Sequence, residues 1–302
     1  MINHETILLK EATEKLRIKE DGIYVDATLG LGGHSKSILK KLVSGKLIAI
    51  DQDLDAINFA KERLKEYQNV IFIHGNFKDL KMHLEKINIK KIDGIIYDLG
   101  TSYYQLTDLG RGFTYRSKDI FLDMRMDQKN QKLTASMILN TYPEEKLLFI
   151  FKKYAEEKLA KKLVQAIIEY RNEKKIVFNH QLNEIIVKIK PYNKQKNRFR
   201  NIYQGLRIEV NNEIDAISKS LLEAAELLNK NGRILVITFH SLEDRIVKNI
   251  FFKFKNLKKE TQYQIIRNFR TLKTVYPSKK EIEKNNSSRS SRMRILEKIN
   301  EF

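Results

Sequence analysis

Cysteine is absent from all 302 residues. Disulfides, thiolate metal sites and thiol nucleophiles are thereby excluded. No stretch approaches the roughly 18 uninterrupted apolar residues that a membrane-spanning helix needs, the longest candidates being broken by Lys or Glu. The opening residues, MINHETILLKEATEKL, carry acids and lack the apolar core of a secretion signal, so the expectation is a cytoplasmic protein with no membrane partner. No internal repeat is visible, and only 285–291 (NNSSRSS) is low in complexity. The six histidines are scattered, no H-x-x-x-H occurs, and no metal site is read. Acids are scarce beside bases: 38 Asp and Glu stand against 57 Lys and Arg, a net charge of +19. That excess points to a polyanionic partner, nucleic acid first. A chain rich in Lys, Ile and Asn also suits an A+T-rich genome, which raises lysine without selection for binding.

The chain has an apolar fraction of 42%, enough to fill a core, and a length suited to a large domain with a smaller one inserted. The first hundred residues alternate strand and helix patterns, as parallel α/β sheets do. Tyr24–Leu29, Lys46–Ile50, Val70–Ile73 and Ile92–Tyr97 read as successive strands, with helices over about 35–42 and 54–64. From about 107 to 205 no buried strand run appears, but helical stretches do, at Glu144–Tyr154 and Glu157–Tyr170. A long amphipathic helix with Val210, Ile214, Ile217, Leu221, Ala225 and Leu228 as its stripe then leads to a fifth strand, Ile234–Phe239. Tyr263–Ile266 and Met293–Leu296 are expected to close the sheet as an antiparallel pair. The expectation is thus a doubly wound, Rossmann-like α/β domain, 1–106 with 206–302, interrupted by a mainly helical insertion, 107–205.

Chemistry is suggested at the strand ends. Asp26 to His34 (DATLGLGGH) places glycines directly after the first strand, where a backbone without Cβ can approach a ligand. The dinucleotide fingerprint G-x-G-x-x-G is incomplete, because Ser35 occupies the third glycine position after Gly30 and Gly32. Asp51 closes the second strand, where nucleotide-binding sheets place a carboxylate for ribose hydroxyls, and Asp98 closes the fourth. Each alone reads equally as a cap or turn residue; together they describe one nucleoside site at the carboxyl edge. A broken fingerprint with several acids suits S-adenosylmethionine, which is cationic and lacks a pyrophosphate, better than NAD. An NAD-linked oxidoreductase is the lesser alternative.

Further segments sharpen this. HETILL, DATLGLGGH, IAIDQD, HGNF, DGIIYDLGTS, RGFTYR, LDMRMD, EEKLAKKLVQAI, LRIEVNNE, ITFHSLEDRIVK and RSSRMR follow one another in the order and approximate spacing of a known family. The chain resembles the ribosomal small-subunit methyltransferase H family, also called MraW, nearly end to end. The resemblance implies a class I SAM-dependent methyltransferase sheet with an inserted helical domain that meets the RNA substrate. It implies methylation of the exocyclic N4 of a cytosine in 16S rRNA, in the decoding (P-site) region of the small ribosomal subunit. It places cofactor contacts at Gly32, Gly33, His34, Asp51, Phe77, Asp98 and Gln105. The chain departs from its relatives at Thr101–Tyr104, where Val-Ser-Ser-Pro is usual, at Ile120-Phe121 for Gly-Pro, and at 197–201, where NRFRN replaces His-Pro-Ala-Thr-Arg. A homodimer stays open.

The absence of cysteine bears on the target atom, since methylation at pyrimidine C5 usually needs a covalent thiolate. An exocyclic amine needs positioning and an acceptor for its hydrogens. Asp98 is the candidate acceptor, its other reading being service to the cofactor alone. His34 is read as a helix-start residue whose backbone N–H faces the cofactor, or else as a general base. Phe77 stacks on adenine or fills the core, and His240, after the fifth strand, is either an active-site or a core histidine. Of Arg111, Arg116, Asp123, Arg125 and Asp127, the acids read as structural partners and at least one arginine as an RNA contact. The basic stretch 188–200, with Lys194, Lys196, Arg198 and Arg200 beside Tyr192 and Phe199, is read as RNA-binding or as a solvated loop, and Arg289, Arg292 and Arg294 form a second cluster. A non-catalytic RNA-binding assembly factor that keeps the fold is the reading from another class.

Overall fold

The computed structural model describes residues 5–102, 105, 109–116, 119–189, 199–260 and 265–301. Two compact units result, one from the residues up to Gly100 together with those from Ile214 onward, the other Thr101–Glu213. The sequence pattern places these boundaries at 106/107 and 205/206.

In the first unit β1 (Ile23–Asp26), β2 (Lys46–Asp51), β3 (Val70–His74), β4 (Ile92–Asp98) and β5 (Leu228–Thr238) run parallel. β6 (Lys258–Glu260) and β7 (Ile265–Arg267) form a separate antiparallel pair. β8 (Phe269–Thr271) and β9 (Arg292–Lys298) complete a seven-stranded sheet of order β3-β2-β1-β4-β5-β9-β8, with β9 antiparallel to both neighbours. Alternate side chains fill opposite faces, the expected consequence of a period of two. Val25, Ile48, Ile50, Ile95, Tyr97, Ile234 and Val236 meet Leu80, Leu84, Leu221 and Phe251 on one side. Tyr24, Leu47, Ala49, Ile96, Leu235 and Ile237 meet Leu8, Ile38, Leu39 and Ile57 on the other. Covering both faces accounts for strands that read as unbroken apolar runs.

The helices on these faces include α1 (Leu9–Lys15), α2 (Gly33–Leu39), α3 (Leu54–Arg63) and α4 (Leu80–Lys86). The chain winds outward from β1 through β2 to β3, then returns to the far side of β1 as β4. The order of strands therefore reverses between β1 and β4, the place where open α/β sheets bind ligands at the carboxyl ends of their strands. For β1 and β4 those ends are Asp26 and Asp98.

The second unit holds α5 (Ala135–Thr141), α6 (Glu144–Phe149), α7 (Ala160–Glu173), α8 (Asn179–Ile189) and α9 (Arg200–Asn211) around its own core. Ile138, Leu139, Phe151, Leu163, Val164, Ile167, Leu182, Ile186, Ile202, Leu206 and Val210 are buried together.

Two expectations need correction. The long helix over 210–228 is two helices, α9 and α10 (Glu213–Leu227), broken at Asn212, which adopts φ 49°. Val210 ends in the core of the second unit, whereas Ile217, Leu221 and Ala225 pack on the sheet. One continuous stripe thus serves two cores. The strand that joins β9 is β8, not the segment around Ile265, which instead turns back on β6 with Lys258 opposite Arg267. Pairing with a near neighbour closes a shorter loop and costs less chain entropy.

Candidate active site at the carboxyl edge of the sheet

The loop after β1 is built by left-handed backbone at Gly30 (φ 49°) and Gly32 (φ 75°), the latter capping α2. A side chain at Gly32 would be strained. The backbone N–H of Gly30 donates to Asp51 Oδ2 at 2.8 Å, and a Cβ built on Gly30 meets nothing nearer than 3.9 Å. Gly33 has a different cause. A Cβ there falls 1.8 Å from Thr6 Oγ1, so glycine admits the N-terminal segment rather than a ligand.

Asp26 is buried, and both its oxygens are engaged: Ser35 Oγ donates to Oδ2 at 2.7 Å and the Thr28 N–H to Oδ1 at 3.2 Å. Burial pushes this carboxyl above the ordinary range, opposed by His34 and by its two donors and assisted by Asp98. Thr28 Oγ1 accepts the backbone N–H of Asp98 at 2.7 Å and ties the end of β4 to the loop after β1.

Asp51 is held by the loop it faces. Oδ2 takes the Gly30 N–H, Oδ1 takes the Asp53 N–H at 2.9 Å, and Asp53 caps α3 by accepting from the Asp55 N–H. Each Asp51 oxygen keeps a lone pair. Desolvation nevertheless drives the carboxyl up to about 6, against the pull of those backbone donors. The next loop is fastened to this one: His74 Nε2 lies 3.1 Å from the Gln52 carbonyl, and Asn76 Nδ2 donates to Gln52 Oε1 at 2.8 Å. Asn76 also caps the short turn Phe77–Asp79, which sets Phe77 edge-on to Tyr97 with ring centroids 5.6 Å apart. Phe77 is half-buried against the sheet core.

His34 Nε2 lies 3.6 Å from Asp98 Oδ2, beyond hydrogen-bond length, with the His34 side chain buried and that of Asp98 27% exposed. Both His34 Nε2 and Asp98 Oδ1 are sealed from solvent without a hydrogen-bond partner. The first unit therefore gathers Gly32, Gly33, His34, Asp51, Phe77 and Asp98 on neighbouring strand ends. Sequence reasoning does not single out Asp26 or Thr28. The signal that could have found Asp26 is an acid closing the first strand, as Asp51 and Asp98 close theirs; Thr28 carries no such signal.

Other candidates are placed elsewhere. Gln105 belongs to the second unit, where its Oε1 accepts the Ser102 N–H and its own N–H donates to Ser102 Oγ. His240 heads α11 (Ser241–Asn256): Nδ1 accepts the Glu243 N–H at 3.4 Å, and Nε2 lies 2.7 Å from Glu243 Oε1. It works as a helix cap. Arg125 forks onto Asp123 at 2.6 and 2.9 Å, buried Arg111 donates to the carbonyls of Arg125 and Met126, and Asp127 accepts from local N–H groups, while Arg116 is exposed. Arg294 is spent on Asp244 at 2.6 and 2.9 Å. Arg292 shares that acid at 3.3 Å and lies over the exposed ring of Tyr276, and Arg289 is exposed. Arg200 is exposed at the start of α9, whereas Lys194, Lys196 and Arg198 lie outside the described residues. Among the described residues, no three His, Asp or Glu are disposed to hold a metal ion, and no helix is long and apolar enough to cross a membrane.

Comparison with known proteins bears on what this edge is for. The model of the MraW methylase family matches residues 1–299. The chain belongs to that family. It is 47% identical to the ribosomal RNA small subunit methyltransferase H of Clostridium botulinum (strain Loch Maree / Type A3), over 98% of this chain and 99% of that protein. The protein of the same name from Caldicellulosiruptor saccharolyticus is 45% identical over 99% of this chain and 100% of its own length. A solved rRNA methylase from Streptococcus thermophilus aligns over 99% of both chains at 13% identity and a TM-score of 0.46. The sheet is of the Rossmann-like class I methyltransferase type that the resemblance implies.

Proposed function

We propose that this chain is an S-adenosylmethionine-dependent methyltransferase of small-subunit ribosomal RNA, and that its target is the exocyclic N4 of a cytosine in 16S rRNA. Family membership supports the reaction class. The observation that carries the site is the gathering of Asp26, Asp51 and Asp98 with an open glycine loop at the switch between β1 and β4. The residues fit the cofactor. Three acids suit a sulfonium cation, the spare lone pairs of Asp51 suit a ribose diol, and the space over Gly30 admits a ligand. Gly32, Gly33 and His34 supply backbone, and Phe77 offers ring area for adenine.

When bound, S-adenosylmethionine supplies an electrophilic methyl carbon whose bond to sulfur breaks with both electrons left on sulfur. The protein has then to orient an amine whose lone pair is delocalised into the cytosine ring. Asp98, whose side chain is partly exposed, accepts an amine hydrogen, favours the pyramidal nitrogen and takes the proton released on transfer. With no cysteine in the sequence, the covalent thiolate route to pyrimidine C5 has no nucleophile here. The 107–205 segment serves as the RNA domain, with Arg116 and Arg200 among its exposed cations. Arg289 and Arg292 are the RNA contacts of the first unit.

The test is transfer of a tritiated methyl group to small subunits isolated from cells lacking the protein, followed by mapping of the labelled base. Label on cytosine N4 is expected. Label on another atom overturns the target, and tight subunit binding without label favours the assembly-factor reading.

A further inference from the structure

His34 and Asp98 present each other with unfilled bonding capacity. Nε2 of the one and Oδ1 of the other are buried without partners, and Nε2 stands 3.6 Å from Asp98 Oδ2. Unbonded buried polar atoms are costly and rare. A closing of about 0.7 Å, by rotation of ring or carboxylate, separates this arrangement from a charge-assisted hydrogen bond. The other nearby acid, Asp26, already accepts from Ser35 Oγ and from the Thr28 N–H, whereas Asp98 Oδ1 has no partner. Both partners stand on fixed elements. His34 is the second residue of α2, behind the left-handed cap at Gly32, and Asp98 ends β4 with its N–H held by Thr28 Oγ1.

We propose that the His34 side chain is a positioning residue for Asp98. Its imidazole, protonated at Nε2, donates to the carboxylate once the site is loaded, and so fixes that carboxylate as the acceptor of the amine proton. The inference rests on the reading of Asp98 as facing the methyl acceptor. The balance is simple. Nitrogen gains its bond to the methyl carbon, and the proton it then sheds passes to Asp98 and leaves for solvent with the product. The Nε2 proton of His34 remains in place throughout. A histidine that only fills space beneath α2 would make no such bond.

Nitrogen-15 NMR of histidine-labelled protein reads the pairing without catalysis, the His34 signal being assigned by its loss in His34→Gln. Expected is a protonated Nε2 whose resonance moves in Asp98→Asn and again on adding S-adenosylhomocysteine. A bare Nε2, or a resonance indifferent to Asp98→Asn, overturns the proposal. Kinetics give the second readout. His34→Leu is expected to lower kcat about a hundredfold while changing the calorimetric affinity for S-adenosylhomocysteine by less than about threefold. His34→Gln, whose side-chain amide restores an N–H donor, is expected to recover about tenfold of that loss. An unchanged kcat in His34→Leu also overturns the proposal. If the unaltered protein transfers no methyl group, the assigned activity fails, and the NMR result still decides the pairing.

Discussion

The ribose-binding role proposed for Asp51 calls for an ionised carboxylate, yet Asp51 sits where ionisation is disfavoured. Its carboxyl is raised to about 6 by desolvation. Because the folded value exceeds the unfolded one of about 4, protonation stabilises the free protein. That contribution is complete below about pH 4 and is lost as pH rises through about 6. Cofactor affinity runs the other way. Calorimetric titration with S-adenosylhomocysteine should show affinity constant above about pH 7 and falling towards tenfold per pH unit below about pH 6. Asp51→Asn should weaken binding at neutral pH and flatten the profile; an equally steep profile in that variant would assign the titration to another group. At this scale the sequence discloses Asp51 and Asp98, because an acid that closes a strand is visible once the strand is. It does not disclose why Gly33 is glycine, since Thr6, which fills the space, is 27 residues away along the chain. Nor does it separate the His34 side chain from its backbone, because the facing Asp98 comes from another strand.

Elements tell a similar story through their ends. The apolar stripe from Val210 to Leu228 has helical spacing throughout, so periodicity alone hides the break at Asn212. What makes the break is backbone geometry. Asn212 caps α9 in the left-handed region, and Arg207 forks onto Glu213 across the turn, with both hydrogen bonds at 2.8 Å. Asparagine tolerates that conformation and β-branched residues do not. Asn212→Gly should therefore leave the urea midpoint nearly unchanged or raise it slightly, while Asn212→Val should cost about 1–2 kcal/mol of stability. Equal stability of the two variants would mean that the helices continue as one in solution. The parallel strands β1 to β5 are legible because each is an apolar run ending in a recognisable loop. β8, three residues long, carries too little pattern to be chosen over the Ile265 segment, and its place beside β9 is set by tertiary pairing.

For the whole molecule, the question left by composition is whether a net charge of +19 is a binding device or a drift of usage. The folded cations divide into two kinds. Arg111, Arg125, Arg207 and Arg294 are committed to carboxylates or carbonyls within the protein and are unavailable to phosphate. Arg116, Arg200 and Arg289 are exposed. Only the second kind can release counterions from RNA, so the formal charge does not give the number of phosphates neutralised. Measuring small-subunit rRNA affinity across salt concentrations yields that number as a slope. Replacing Lys194, Lys196, Arg198 and Arg200 together by Gln should reduce the slope by about 0.7 for each phosphate no longer neutralised, in a protein whose melting temperature is unchanged. Arg289→Gln should act alike but more weakly, and Arg292→Gln should also loosen Asp244, which Arg294 alone would then hold. A slope indifferent to all six replacements would make these segments solvated lysine and arginine, and the charge a matter of composition.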